Sequence, residues 1–273
     1  MYTLNCKGRL LVIDKPLVMG IINTTPDSFY EGSRFMGESR VLNQAEQMLK
    51  AGADILDIGG QSTRPNSSAI SAEEELQRVT GAIESLHYNF PEAVISIDTY
   101  YARVAAEAVA AGASIINDIS AALVDPAILS TAGALKVPYV CSHIKGTPAT
   151  MQQHATYENV TREVLDFFIQ KIADCHQAGI TDIIIDPGFG FAKTPAHNFT
   201  LLKELATLKM PGKPILVGLS RKSTVYKTLG ITAAEALNGT TVLNTIALLN
   251  GANIIRVHDV KEAKETITLV CGL

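Results

Sequence analysis

Eight short apolar runs in this chain lead directly into residues able to bind or catalyse. These are Asn23, Asp57, Asp98, Asn117, His143, Asp186, the trio Ser220, Arg221 and Lys222, and the pair Arg256 and His258. A carboxylate accepts two parallel hydrogen bonds from an amino-pyrimidinone edge, and an asparagine amide pairs a donor with an acceptor. Acids and amides of this kind suit a flat heterocycle with several N–H donors. Lys222, Arg256 and His258 follow the last two runs, where barrel folds commonly place phosphate sites. Together the two sets point to a ligand with a polar ring at one end and a phosphate at the other. Buried without such partners the carboxylates would be strongly destabilising, so they must pair with a ligand or with one another.

These groups act together only if the runs deliver them to one place. The runs cover residues 18–22, 55–58, 94–97, 114–116, 139–141, 183–185, 215–217 and 254–257. Their apolar character is continuous instead of alternating, which predicts parallel strands covered on both faces. Amphipathic stretches at 39–51, 71–88, 101–111 and 156–178 read as helices between them. Gly52, Gly112, Gly179 and Gly251 follow such stretches at positions that suit a left-handed helix ending. Eight β–α units in 273 residues predict a single (β/α)8 TIM barrel spanning residues 1–273, with residues 1–16 forming a short strand pair that closes its bottom. An open, doubly wound sheet is the alternative. In a barrel all eight strand ends emerge on one face. Two connections, 23–38 and 59–70, are longer than usual and rich in Gly, Ser and Pro, and are expected to close over a substrate.

The composition narrows the class. Hydrophobic residues make up 47% and charged residues 18%, which excludes a disordered chain and a coiled coil. A net charge of −4, no tryptophan and 6% aromatics argue against nucleic acid as a partner. No apolar stretch is long enough to span a membrane. Cys6, Cys141, Cys175 and Cys271 lack metal-site spacing and read as reduced thiols of a cytoplasmic protein.

Taken in order, the motifs resemble a known family. They are N-T-T-P-D-S-F (23–29), D-I-G-G-Q-S-T-R-P (57–65), I-D-T (97–99), I-N-D (116–118), H-I-K-G-T-P (143–148), D-P-G-F-G-F-A-K (186–193), S-R-K-S (220–223) and R-V-H-D (256–259). Together they resemble dihydropteroate synthase, and the likeness runs from about residue 17 to 260. The resemblance implies a transferase of folate biosynthesis and sulfonamide target. Such an enzyme condenses 6-hydroxymethyl-7,8-dihydropterin diphosphate with p-aminobenzoate to give 7,8-dihydropteroate and diphosphate. By motif, Asp98, Asn117, Asp186, Lys222 and Arg256 would bind the pterin. Asn23, Thr63, Arg256 and His258 would hold the diphosphate, with Asn23 as the ligand to Mg2+. Phe29, Thr63, Arg64, Pro65, Phe191 and Ser223 would shape the p-aminobenzoate site. Arg256, His258 and Lys222 would be the catalytic groups, and a homodimer is implied. Two positions depart from the family's pattern: Gln61 stands where a Glu is common, and Ser142 where a Met is expected beside the ring. A pterin-binding methyltransferase domain and a catalytically silent pterin-binding homologue are the rival readings.

Overall fold

A computed structural model describes residues 1–24, 34–61, 69–147 and 150–273. Strands β1 (Tyr2–Cys6) and β2 (Arg9–Ile13) form an antiparallel hairpin in which Tyr2 pairs with Ile13 and Cys6 with Arg9. Eight further strands follow: β3 (Leu17–Asn23), β4 (Ile55–Gly59), β5 (Val94–Asp98), β6 (Ile115–Asp118), β7 (Tyr139–Ser142), β8 (Ile183–Asp186), β9 (Leu216–Val217) and β10 (Ile254–Val257). All their pairings are parallel, in the order β8-β7-β6-β5-β4-β3-β10-β9, and a parallel bridge between Ile185 and Ile215 joins the two ends. The sheet is therefore closed, and the barrel prevails over the open sheet.

The helices around it, among the described residues, are α1 (Arg34–Lys50), α2 (Ala72–Asn89), α3 (Ala102–Ala111), α4 (Ala127–Leu135), α5 (Val160–Gln177), α6 (Pro195–Lys203), α7 (Ser223–Leu229), α8 (Leu237–Leu249) and α9 (Val260–Val270). None is long and apolar enough to cross a membrane. All four expected glycines take positive φ, and Gly112 shows why: at φ +130, an added Cβ would also lie 2.6 Å from the His87 side chain. Helix α1 begins at Arg34, five residues before the expected stretch, and carries Gly37 within its first turn.

Side chains alternate across each strand. Val18, Leu56, Ile95, Ile116, Cys141, Ile185, Val217 and Ile255 face outward and pack under the helices. Leu17, Met19, Ile55, Val94, Ile115, Val140, Ile184, Leu216 and Ile254 face inward, and Leu4, Cys6 and Ile13 of the hairpin plug the same layer from below. An isolated hairpin is marginal in water, so this plug supplies what it lacks: each buried Leu or Ile contributes roughly 1.5–3 kcal/mol. One step of two residues above this layer the inward positions turn polar: Asp57, Ser96 then Asp98, Asn117, Ser142, Asp186 and Arg256. The alternation that builds the core thus also builds a polar cup at the strands' C-terminal ends.

Candidate active site

Arg256 on β10 organises one half of the cup. Its Nε donates to Oδ2 of Asp57 at 2.6 Å and its Nη2 to Oδ2 of Asp98 at 2.6 Å. Asn117 Nδ2 donates to the same Asp57 oxygen at 3.0 Å. Four strands are thereby tied through one guanidinium. Asp57 is wholly buried and Asp98 nearly so. Burial pushes the Asp98 carboxyl up to about 7; Arg256 opposes this, while Asp57 adds to it. Burial alone would lower Arg256, but Asp57 and Asp98 outweigh it and hold the guanidinium above its ordinary value.

Asp186 and Lys222 form the other half. The Gly188 backbone N–H donates to Asp186 Oδ1 at 2.8 Å, and Lys222 Nζ donates to the Phe189 carbonyl at 2.6 Å while lying 4.6 Å from the Phe191 ring centroid. Burial raises the Asp186 carboxyl, opposed chiefly by the charge of Lys222. Burial lowers Lys222 to about 8, opposed by Asp186. The halves meet at Gly218, where an added Cβ would lie 3.6 Å from Lys222 Nζ and 3.9 Å from Arg256 Cβ. Three acids against two cations leave the cup short of positive charge, a balance suited to a ligand edge of N–H donors.

Several buried oxygens in the cup have no hydrogen-bond partner among the described residues: Asp57 Oδ1, Ser96 Oγ and Ser142 Oγ. Buried polar atoms normally find partners, so these oxygens suit ligand or water hydrogen bonds. Ser142 pairs in register with Asp186 and so faces the same side, placing a hydroxyl where a methionine was expected. Over this level Tyr100, Ile119, Ile144, Met151, Phe191 and Ala192 make a small apolar cluster.

The remaining positions occupy the rim. His258 is exposed, and its Nδ1 lies 3.0 Å from Ser220 Oγ, which also accepts from the His258 N–H. Ser223, half-buried, begins α7 beside Lys222. Asn23 ends β3 with its side chain exposed, while the adjacent Thr24 is fixed to the Gly59 carbonyl. Among the described residues no three His, Cys, Asp or Glu side chains gather as a metal cage. The exposed side-chain amide oxygen of Asn23 is a hard donor of the kind Mg2+ takes, and Asn23 would be its protein ligand. Phe29, Thr63, Arg64 and Pro65 lie outside the described residues.

Some roles were not apparent from sequence. Arg221, which follows a strand run between Ser220 and Lys222, is a strut: it holds Asp259 through two hydrogen bonds of 2.9 Å and also donates to the carbonyls of Ala233 and Ala234. Asp118 of I-N-D faces outward and accepts from Tyr139 and from the backbone of Ser120 and Ala122. Glu75 belongs to the acidic first turn of α2, yet it is buried, accepts from Thr99 Oγ1 at 2.9 Å and is pushed up to about 8 by burial. Its spacing from Val79 and Ile83 placed it on the helix's apolar face. Gln61 donates to the Tyr100 hydroxyl.

Known proteins resemble this chain in sequence and fold. The family described as pterin binding enzyme matches residues 19–258. Dihydropteroate synthase of Escherichia coli K12 is 43% identical over 266 residues, covering 97% of this chain and 94% of that protein. The Yersinia pestis dihydropteroate synthase, in a complex with a sulfonamide drug, superposes with a TM-score of 0.92 at 40% identity, covering 99% of this chain and 98% of the other. The Xanthomonas albilineans enzyme in complex with 7,8-dihydropteroate gives 0.89 at 36% identity, with 99% and 98% covered. Agreeing in fold and over nearly the whole length, these likenesses establish that the chain belongs to the pterin-binding enzyme family, among its dihydropteroate synthases.

Proposed function

We propose that the chain joins 6-hydroxymethyl-7,8-dihydropterin diphosphate to p-aminobenzoate, releasing 7,8-dihydropteroate and diphosphate, through dissociative departure of the diphosphate. The observation that carries this reading is the single cup in which Asp98, Asn117, Asp186, Lys222 and Arg256 converge. In this reading Asp186 and Asn117 orient the pterin's amino-pyrimidinone edge. Asp98 and Lys222 lie against it, and Arg256, held by Asp57 and Asp98, serves both the pterin and its diphosphate. The C–O bond between the exocyclic methylene and the diphosphate breaks, and its electron pair leaves with the diphosphate. Positive charge spreads into the electron-rich ring over Asp98 and Asp186. The neutral arylamine then attacks the methylene through its nitrogen lone pair and releases a proton to solvent, so no general base has to act first. Arg256 and His258 stabilise the departing charge, and orientation supplies much of the rest. When bound with the substrate, Mg2+ supplies further charge neutralisation at the diphosphate, with Asn23 as its protein ligand. By the family's motifs, Thr63 would serve the diphosphate, and Phe29, Thr63, Arg64, Pro65, Phe191 and Ser223 would serve p-aminobenzoate.

The direct test mixes the protein with Mg2+ and both substrates and looks for dihydropteroate by mass. Product formation is expected; pterin diphosphate that binds without turnover would identify a silent homologue instead. The reading extends to a homodimer. Val242, Ile246 and Leu249 are exposed on one face of α8, and neighbouring α6 and α7 expose Phe199 and Leu229. A second copy would cover this apolar face, and light scattering should give twice the 29.2 kDa chain mass. Its cysteines, all unpaired, suit a reducing cytoplasm.

A further inference from the structure

Lys193 is 3% exposed, yet no carboxylate lies within ion-pair distance of it among the described residues. Its ammonium is held by three neutral acceptors: His143 Nδ1 at 2.8 Å and the carbonyls of Gly188 and Phe191, each at 3.1 Å. An ammonium only donates, so this contact makes His143 Nδ1 the acceptor and puts the imidazole proton on Nε2. Burial pushes His143 well below its ordinary value, with the charge of Lys193 adding to the effect, which keeps it neutral. A buried cation without a direct counter-ion is costly, and an apolar residue could fill the space more cheaply.

The turn that Lys193 fastens explains its presence. Gly188, at φ +67, donates its N–H to Asp186 Oδ1, and an added Cβ there would strike the His143 carbonyl at 2.0 Å. The His143 N–H donates to the Asp186 carbonyl at 2.9 Å. Lys193 thus grips the carbonyl of the same residue whose N–H aims the Asp186 carboxylate. It also grips the carbonyl of Phe191, which bears the ring beneath Lys222. We propose that Lys193 is a positioning residue: a buried cation, seated on His143, that aims the Asp186 carboxylate at the pterin and supports its charge. The charged groups acting on Asp186 are Lys222, Arg256 and Lys193. Those acting on Lys193 are Asp186, Lys222 and Lys145, and burial lowers it to about 7.

The inference rests on the pterin reading of the cup. Its test is calorimetric titration of the full-length protein with the pterin diphosphate between pH 5 and 8. Binding needs an ionised Asp186, so affinity falls as pH drops through its titration. Taking away Lys193 removes a cation and moves that midpoint upward. Lys193→Met should shift it by about one unit, which is about tenfold in affinity on the acid limb. Lys193→Gln keeps two N–H donors without the charge and should move the midpoint likewise, which covers a methionine variant that fails to fold. A uniform loss of affinity with an unmoved midpoint, or affinity equal to wild type throughout, would overturn the role of Lys193. Failure of the unaltered protein to bind pterin diphosphate would instead overturn the reading of the cup.

Discussion

Arg256→Met should melt on the order of 10 °C lower than the parent at pH 8 and recover much of that loss near pH 5.5. Its turnover should fall on the order of 10²–10³-fold. The guanidinium is the direct counter-ion of both Asp57 and Asp98. Removing one partner of a buried ion pair costs roughly 3–5 kcal/mol, because the other charge stays buried. Here two carboxylates would lose their direct counter-ion, leaving Asn117 as a donor to Asp57 and Lys222 acting on Asp98 by charge alone. The pH dependence follows from Asp98, which burial already holds at about 7 with Arg256 opposing the rise. Without Arg256 that value climbs further. A carboxyl raised above its unfolded value favours the protonated fold, so its contribution is complete at low pH and is lost as pH rises through the folded-state value. Calorimetric melting of parent and variant at the two pH values decides the point. An equal Tm deficit at both would mean that the acids do not depend on Arg256.

How much of this was legible in the sequence depended on range. The eight strands were visible because both of their faces are buried, so that runs such as 183–185 carry no polar residue until Asp186. The barrel followed from their number, and the cup from what ended them. Partner choice was not visible. Nothing local links Arg256 to Asp57, 199 positions away, or separates it from Arg221, which turns outward to Asp259. The two-residue alternation distinguishes Asn117 from Asp118 only once the inward face is known, and Ile115 in the barrel interior fixes that. Lys193 looked like the tail of a loop motif, because its acceptors are two carbonyls and a histidine 50 positions away. The early start of α1 was hidden by Gly37, a residue that reads as a helix breaker but sits here within the first turn.

Asp186→Asn should fold with a Tm close to the parent's yet bind pterin diphosphate at least about a hundredfold more weakly. The substitution keeps shape and loses a charge, and the local geometry dictates which way the amide turns. The Gly188 N–H needs an acceptor and already uses Oδ1 at 2.8 Å, so the asparagine oxygen occupies that place. Its Nδ2, a donor only, is then directed where a carboxylate oxygen had accepted from the ring. Two donors face each other, and a charge-assisted hydrogen bond worth roughly 1.5–3 kcal/mol becomes a repulsive contact. Lys222 also loses the acid that offsets its burial and falls below its present value of about 8, which weakens the positive flank of the ring site. The fold escapes a comparable penalty because removing a buried charge spares its desolvation, while the Gly188 bond survives. Calorimetry with the pterin diphosphate, beside a melting curve, separates the two effects. A dissociation constant within threefold of the parent's would show that the ring edge is read elsewhere and that Asp186 serves only its own turn.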